Sequence, residues 1–203
     1  TWQEALDYIK NLNSQKYLGF NDWRLPNVLE LSSLVDIQRS YSTLPINHPF
    51  INYERRYFWT STTDPFSKGM AYYASVYSSN VSYTGKSSKS GVWPVRGGIA
   101  EPNIYKTGLT KCYDSLGSEI ICEGTGQDGE IQAGKVWPDP RFTDNANGTV
   151  TDNLTGLLWT KNAFPAAQPL TWQDALDFIK SINSQNYLGF SDWRMPNDIE
   201  LRT

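Results

Sequence analysis

Two cysteines, one histidine and two clusters of polar and aromatic side chains are the groups in this chain whose types and spacing could do chemistry. Cys112 and Cys122 flank the Gly-containing stretch YDSLGSEII, which suits a hairpin closed by a disulfide. Two free thiols are the alternative. A structural zinc site is excluded, because His48 is the single histidine and two cysteines leave the ligand set short. His48 stands in Ile-Asn-His-Pro-Phe, a loop context without an evident nucleophilic or acidic partner, and no nucleophile elbow occurs. The chain therefore reads as a non-enzyme. Asp144, Asn145, Asn147 and Asp152 are oxygen ligands of the kind calcium takes. The same stretch holds Asn147-Gly148, a type I′ hairpin signal, and it lacks the closing glutamate of an EF-hand loop. Calcium thus stands beside a plain turn as a reading, and no other cofactor is indicated. Tyr73, Tyr77, Asn80, Tyr83 and Lys86 combine aromatic rings with polar groups, the mixture that carbohydrate sites use. Packing against a neighbouring domain is an equal reading of these tyrosines.

Stepping outward from these groups, the composition is that of a folded, loop-rich protein: 203 residues, 14% aromatic and 19% charged, with a net charge of -3. No basic run exists, which argues against nucleic acid as a partner. No apolar stretch approaches the roughly 20 residues of a membrane helix, so membrane insertion is not expected.

The elements that must position these groups are laid out by an internal repeat. TWQEALDYIKNLNSQKYLGFNDWRLPNVLELSS at residues 1–33 returns as TWQDALDFIKSINSQNYLGFSDWRMPNDIELRT at 171–203, with 22 of 33 positions identical and no gap. The offset of 170 residues is a whole-domain period. Thr1 with Glu4, and Thr171 with Asp174, have the form of capped helix starts. Trp2, Ala5, Leu6, Ile9 and Leu12 then share one helical face. Tyr17–Phe20 reads as a turn, and Asn27–Glu30 as a second capped start. Arg24, between Trp23 and Leu25, is expected to be a partly buried arginine with an acidic partner.

Beyond residue 50 the pattern turns to strands: 57–62, 70–77, 81–83 and 91–97, the last bearing Pro94. Residues 141–152 read as strand, Asn-Gly turn, strand, and Leu157–Trp159 as a further strand. The divisions are then 1–98, the C-terminal portion of one repeat; 99–140, a linker with the cysteine hairpin; and 141–203, the N-terminal portion of the next.

GTVTDNLTGLLW, TWQDALDFIKSIN and GFSDWRMPNDIEL, with FWTSTT and VWPVRGG, resemble the Lcl C-terminal domain family (domain of unknown function 1566). The resemblance implies an α+β, C-type-lectin-like fold, distantly similar to the formylglycine-generating enzyme, with two helices and a twisted, mostly antiparallel sheet. It implies a secreted bacterial protein at the cell surface or outside it, an adhesin or filament module. Its partners would be neighbouring repeats, further copies, or cell-surface and sulfated glycans. In this fold the region of Tyr72–Lys89 is often the ligand face. The catalytic cysteine pair of the formylglycine-generating enzyme does not carry over, since Cys112 and Cys122 lie in the connection. Glu101-Pro-Asn103 resembles a sugar-binding tripeptide but follows the last strand, and is taken as chance.

One structural consequence follows. Residues 1–98 contain helices and closing strands but not the opening strands, which are encoded at about 141–160. Thr149–Trp159 is therefore expected to complete a sheet, either folded back within the chain or added to another chain, with Gly91–Gly97 pairing Leu157–Trp159. Addition between chains would build a head-to-tail fibre.

Overall fold

The computed structural model describes residues 1–36, 43–53, 56–97 and 104–202. The chain forms two compact units, Thr1–Val136 and Trp137–Thr203. Both are α+β with antiparallel sheets.

In the first unit, α1 spans Trp2–Ser14. The Thr1 hydroxyl accepts from the Glu4 amide and the Glu4 carboxylate reaches back, so the expected capping box is formed. A second capping box, Asn27 with Glu30, starts α2, Val28–Ser32. Three antiparallel strands follow: β1, Phe58–Thr63; β2, Met70–Ser75; and β3, Asn80–Gly85, in the order β1-β2-β3. Phe58 faces Ala74 and Trp59 faces Tyr73, but Thr63 faces Ala71, so β1 carries a bulge between Trp59 and Thr63. Every residue of β1 is buried, because the sheet has an apolar layer on each face. One layer is Trp2, Ala5, Leu6, Ile9, Leu12 and Leu25 against Trp59 and Ala71. The other is Leu31, Leu44 and Tyr53 with Phe58, Ala74 and Val76. Burying a large apolar side chain in such a layer contributes about 1.5–3 kcal/mol.

Gly91–Gly97 is not a continuous strand. Gly91 bridges Phe58 in parallel and Val95 bridges Arg24 antiparallel. A side chain at Gly91 would come within 2.9 Å of the Phe58 ring, so only glycine allows this approach. The partnership with Leu157–Trp159 read from sequence is thus replaced by pairing inside the first unit.

The segment read as a linker also belongs largely to this unit. Its β4, Cys112–Tyr113, and β5, Glu119–Ile120, form a hairpin, and a short helix, α3, spans Asp128–Ile131. Cys112 and Cys122 are joined by a disulfide. Asn27 donates its side-chain amide to the Ala133 carbonyl, and Thr62 donates to Asp128. These long-range bonds fix the segment to α2 and β1. Glu101–Asn103 lies outside the described residues.

In the second unit, β6, Phe142–Asp144; β7, Thr149–Asp152; and β8, Leu158–Thr160, make a three-stranded antiparallel sheet. It leads into α4, Trp172–Ser184, capped by Thr171, and α5, Asp198–Arg202. The α1 and α4 copies share length, cap, and the tight turn that follows, with Leu18 and Leu188 both at positive φ. No described helix is long and apolar enough to cross a membrane.

Candidate functional site

The tyrosine cluster is split by the register of the sheet. Tyr72 pairs with Tyr83 across β2 and β3, while Tyr73 pairs with Ser82 on the opposite face. Tyr73 packs inward, edge-on to Tyr57 and Trp59. Tyr83 is half exposed and meets the Tyr72 ring edge-on at 5.9 Å. Burial, then the nearby Asp64 carboxylate, pushes the Tyr72 hydroxyl up. Tyr77 sits half-buried in the turn between these strands, and Asn80 is exposed at the start of β3. The surface pair is therefore Tyr72 and Tyr83, while Asn80, three residues from Tyr83 along β3, falls on the other face of the strand with Ser82. Tyr72 lies in the stretch read from sequence but not among the five residues singled out from it. Only the hairpin register, 72 opposite 83, could have found it.

Lys86 leaves the candidate ligand set. It is 2% exposed, its ammonium lies 4.3 Å from the centre of the Trp2 ring, and it donates to the carbonyls of Tyr113 and Asp114. Burial lowers its pKa to about 8, opposed by the Asp114 charge. This lysine ties the cystine hairpin to α1 and offers nothing to a soluble ligand.

The buried charged groups Arg24 and Asp128 are likewise used internally. Arg24 grips Glu30 through two hydrogen bonds of 2.6 Å each and donates to the Gly97 carbonyl at 2.9 Å. The paired, buried arginine expected from sequence is thus present, with Glu30 as partner. Asp128 is buried and accepts from the Thr62 and Thr107 hydroxyls, and burial pushes its carboxyl up. His48 meets the Tyr53 hydroxyl at 3.1 Å and stacks with Phe50.

In the second unit the oxygen-rich hairpin is internally bonded. Both Asp152 carboxylate oxygens accept from Arg141, at 2.7 and 3.0 Å, which holds the acid down to about 2. Asp144 accepts from Lys161 and from the Ala146 amide. Asn145 donates to Thr149 and Thr151, and Asn147 accepts from Thr149. The four residues thus build a turn and its flanks, and Asp152 faces an arginine rather than an open coordination site. Among the described residues no group of three or more His, Cys, Asp or Glu could hold a metal ion.

The second unit instead presents an open groove of about 690 Å³. Trp159 of β8, Ile179 and Ile182 of α4, and Phe190, Trp193 and Met195 after it line this groove. A matching asymmetry marks the helix copies. Trp2 is 1% exposed and Trp172 is 72% exposed. The reverse holds at the turn: Leu18 and Phe20 are exposed, whereas Leu188 and Phe190 are partly covered. A side chain at Gly148, in the β6–β7 turn, would come within 2.8 Å of Leu188. In the first unit the closing strands cover the helix itself, whereas in the second the opening-strand turn meets the turn that follows the helix.

The sequence matches the Lcl C-terminal domain over residues 1–96 and 148–203, most of its length. The chain belongs to the Lcl C-terminal domain family. No curated protein and no solved structure matches it. An Lcl C-terminal domain is a bacterial extracellular repeat-type domain. The two matched stretches of Lcl C-terminal domain are separated by the cystine segment, which is consistent with an extracellular setting. The stretch at 1–96 carries helix and closing strands, and the stretch at 148–203 carries opening strands and helix.

Proposed function

We propose that this chain is a non-catalytic structural segment of an extracellular bacterial repeat protein, an adhesin or filament, in which modules of C-type-lectin-like fold are joined in series. The observation that carries this reading is the unequal burial of two nearly identical helices, with Trp2 enclosed and Trp172 at 72% exposure. The apolar face of α4 is an assembly surface, and the polar clusters described above serve the fold. Images of the native protein test the reading. Regular rods with one repeat per module length support it, and isolated globular heads without a period contradict it.

A second reading, a glycan-binding surface, is favoured by Tyr72 and Tyr83 alone, a partly exposed aromatic pair. Binding of sulfated glycans on an array that is lost in Tyr83→Ala supports it. Binding unchanged in that variant removes this face from consideration.

A further inference from the structure

The exposed face of α4 has a defined complement, which the first unit displays. There, the Trp2 indole donates to the Thr60 carbonyl at 2.7 Å, and the Trp2 amide donates to the Lys86 carbonyl at 2.9 Å. The Ser61 amide donates to the Pro26 carbonyl, and the Val28 amide donates to the Thr62 hydroxyl. Arg24 and Val95 exchange both backbone bonds at 2.9 Å. Leu25, Trp2 and Leu6 are closed over by Trp59 and Ala71. A three-stranded sheet with one bulged strand, a following lysine turn and a short returning segment makes all of these contacts at once.

The second unit repeats the recognition side of that set. Trp172, Leu176, Ile179, Trp193, Arg194, Met195 and Pro196 stand at the positions of Trp2, Leu6, Ile9, Trp23, Arg24, Leu25 and Pro26. The Arg194–Glu200 fork is already formed, at 2.7 and 2.5 Å, as Arg24–Glu30 is. Yet Arg194 keeps 57% of its side chain exposed where Arg24 keeps 5%. Among the described residues no backbone bridge forms at Arg194. The face is built and its cover is elsewhere.

From this geometry we infer that the α4 face and the groove beside it bind a three-stranded closing sheet with the sequence pattern of Phe58–Gly97, supplied by a further repeat. The inference rests on the structural reading above and names its partner. Recognition is specific because the sheet must supply a carbonyl to the Trp172 indole, an amide to the Pro196 carbonyl and an extended edge to Arg194, besides apolar cover. A generic hydrophobic partner meets only the last requirement. Filling the groove with bulged strand and Trp59-like side chain also brings the Arg194–Glu200 pair out of water, as in the first unit.

The test extends the full chain beyond Thr203 by a second copy of residues 34–136, and follows amide exchange peptide by peptide. Exchange across Trp172–Ser184 is expected to slow to the rate of Trp2–Ser14 in the same molecule, and Trp172→Asp is expected to abolish that protection. Arg194→Ala, nearly silent in the unextended chain, is then expected to lower the melting midpoint as much as Arg24→Ala does. If the added copy folds, with its cysteines resistant to thiol labelling, while Trp172–Ser184 stays fast, the inference is overturned. An added copy that does not fold overturns it as well. Protection of α4 in the unextended chain that rises with concentration means that a second whole copy covers the face, which also contradicts it. The images of the native protein are independent of this: rods without such protection would sink the inference alone, and protection without rods would sink the structural reading alone.

Discussion

Arginine 24 and its repeat, Arg194, show how one side chain takes two energetic roles. Both form a forked pair with a glutamate six residues on, Glu30 or Glu200. Arg24 is 5% exposed, so its removal leaves Glu30 charged and poorly hydrated. Arg24→Ala is expected to destabilise the first unit by about 3–5 kcal/mol. Arg194→Ala, at an exposed pair, is expected to cost less than about 1 kcal/mol. Thermal or urea melts of the two variants check the difference. Asp152 gives the second unit an acid dependence. Its hydrogen bonds from Arg141 hold its pKa down from 3.8 to about 2, so its contribution is complete above pH 3.8 and is lost as the pH falls toward 2. That contribution is on the order of 1–2 kcal/mol, and Asp152→Asn should remove this part of the acid-induced loss in a pH series of melts. Arg24 was legible in the sequence because a charge between Trp23 and Leu25 must be paired. Lys86 was not, because its two carbonyl acceptors, Tyr113 and Asp114, come from a hairpin 27 and 28 residues away.

Among the elements, α1, α2 and α4 were readable because their signals are local: a capping residue, an acid three positions on, and apolar spacing on one face. The strands β1 to β3 were readable in place but not in phase, and Gly91–Gly97, read as a strand, makes only isolated bridges. The turn at Val76–Ser79 sets the β2–β3 register, which decides that Tyr72, not Tyr73, shares a face with Tyr83. The cystine segment looked like a linker because its bonds to the rest of the unit are remote in sequence, such as Asn27 to Ala133. Gly129 shows how tight that docking is, since a side chain there would reach within 2.2 Å of the Lys111 carbonyl oxygen. The disulfide closes a loop with a sequence separation of 10. Replacing Cys112 and Cys122 by serine is expected to lower the stability of the first unit by about 2–3 kcal/mol. The remaining bonds of Gln127 and Lys86 to Tyr113 should keep the fold, so the melt shifts while the far-UV spectrum is retained. A spectrum that collapses on this double substitution would show that the hairpin needs the disulfide to form.

At the scale of the whole chain, the repeat period of 170 residues does not coincide with the compact units, which divide at Val136. The first unit joins helix, closing sheet and cystine hairpin, and the second joins opening strands and helix. The repeat itself was visible from sequence. The coverage of each helix copy was not, because identity between two segments says nothing about which neighbours enclose them. One helix sequence is thus placed in two settings, and its stability should follow the strands that cover it. Amide exchange of this chain, resolved for Trp2–Ser14 and Trp172–Ser184 in the same sample, measures that dependence. Strong protection is expected across Trp2–Ser14 and much faster exchange across Trp172–Ser184, despite their similar sequences and caps. Equal protection of the two helices in the dilute chain would contradict it.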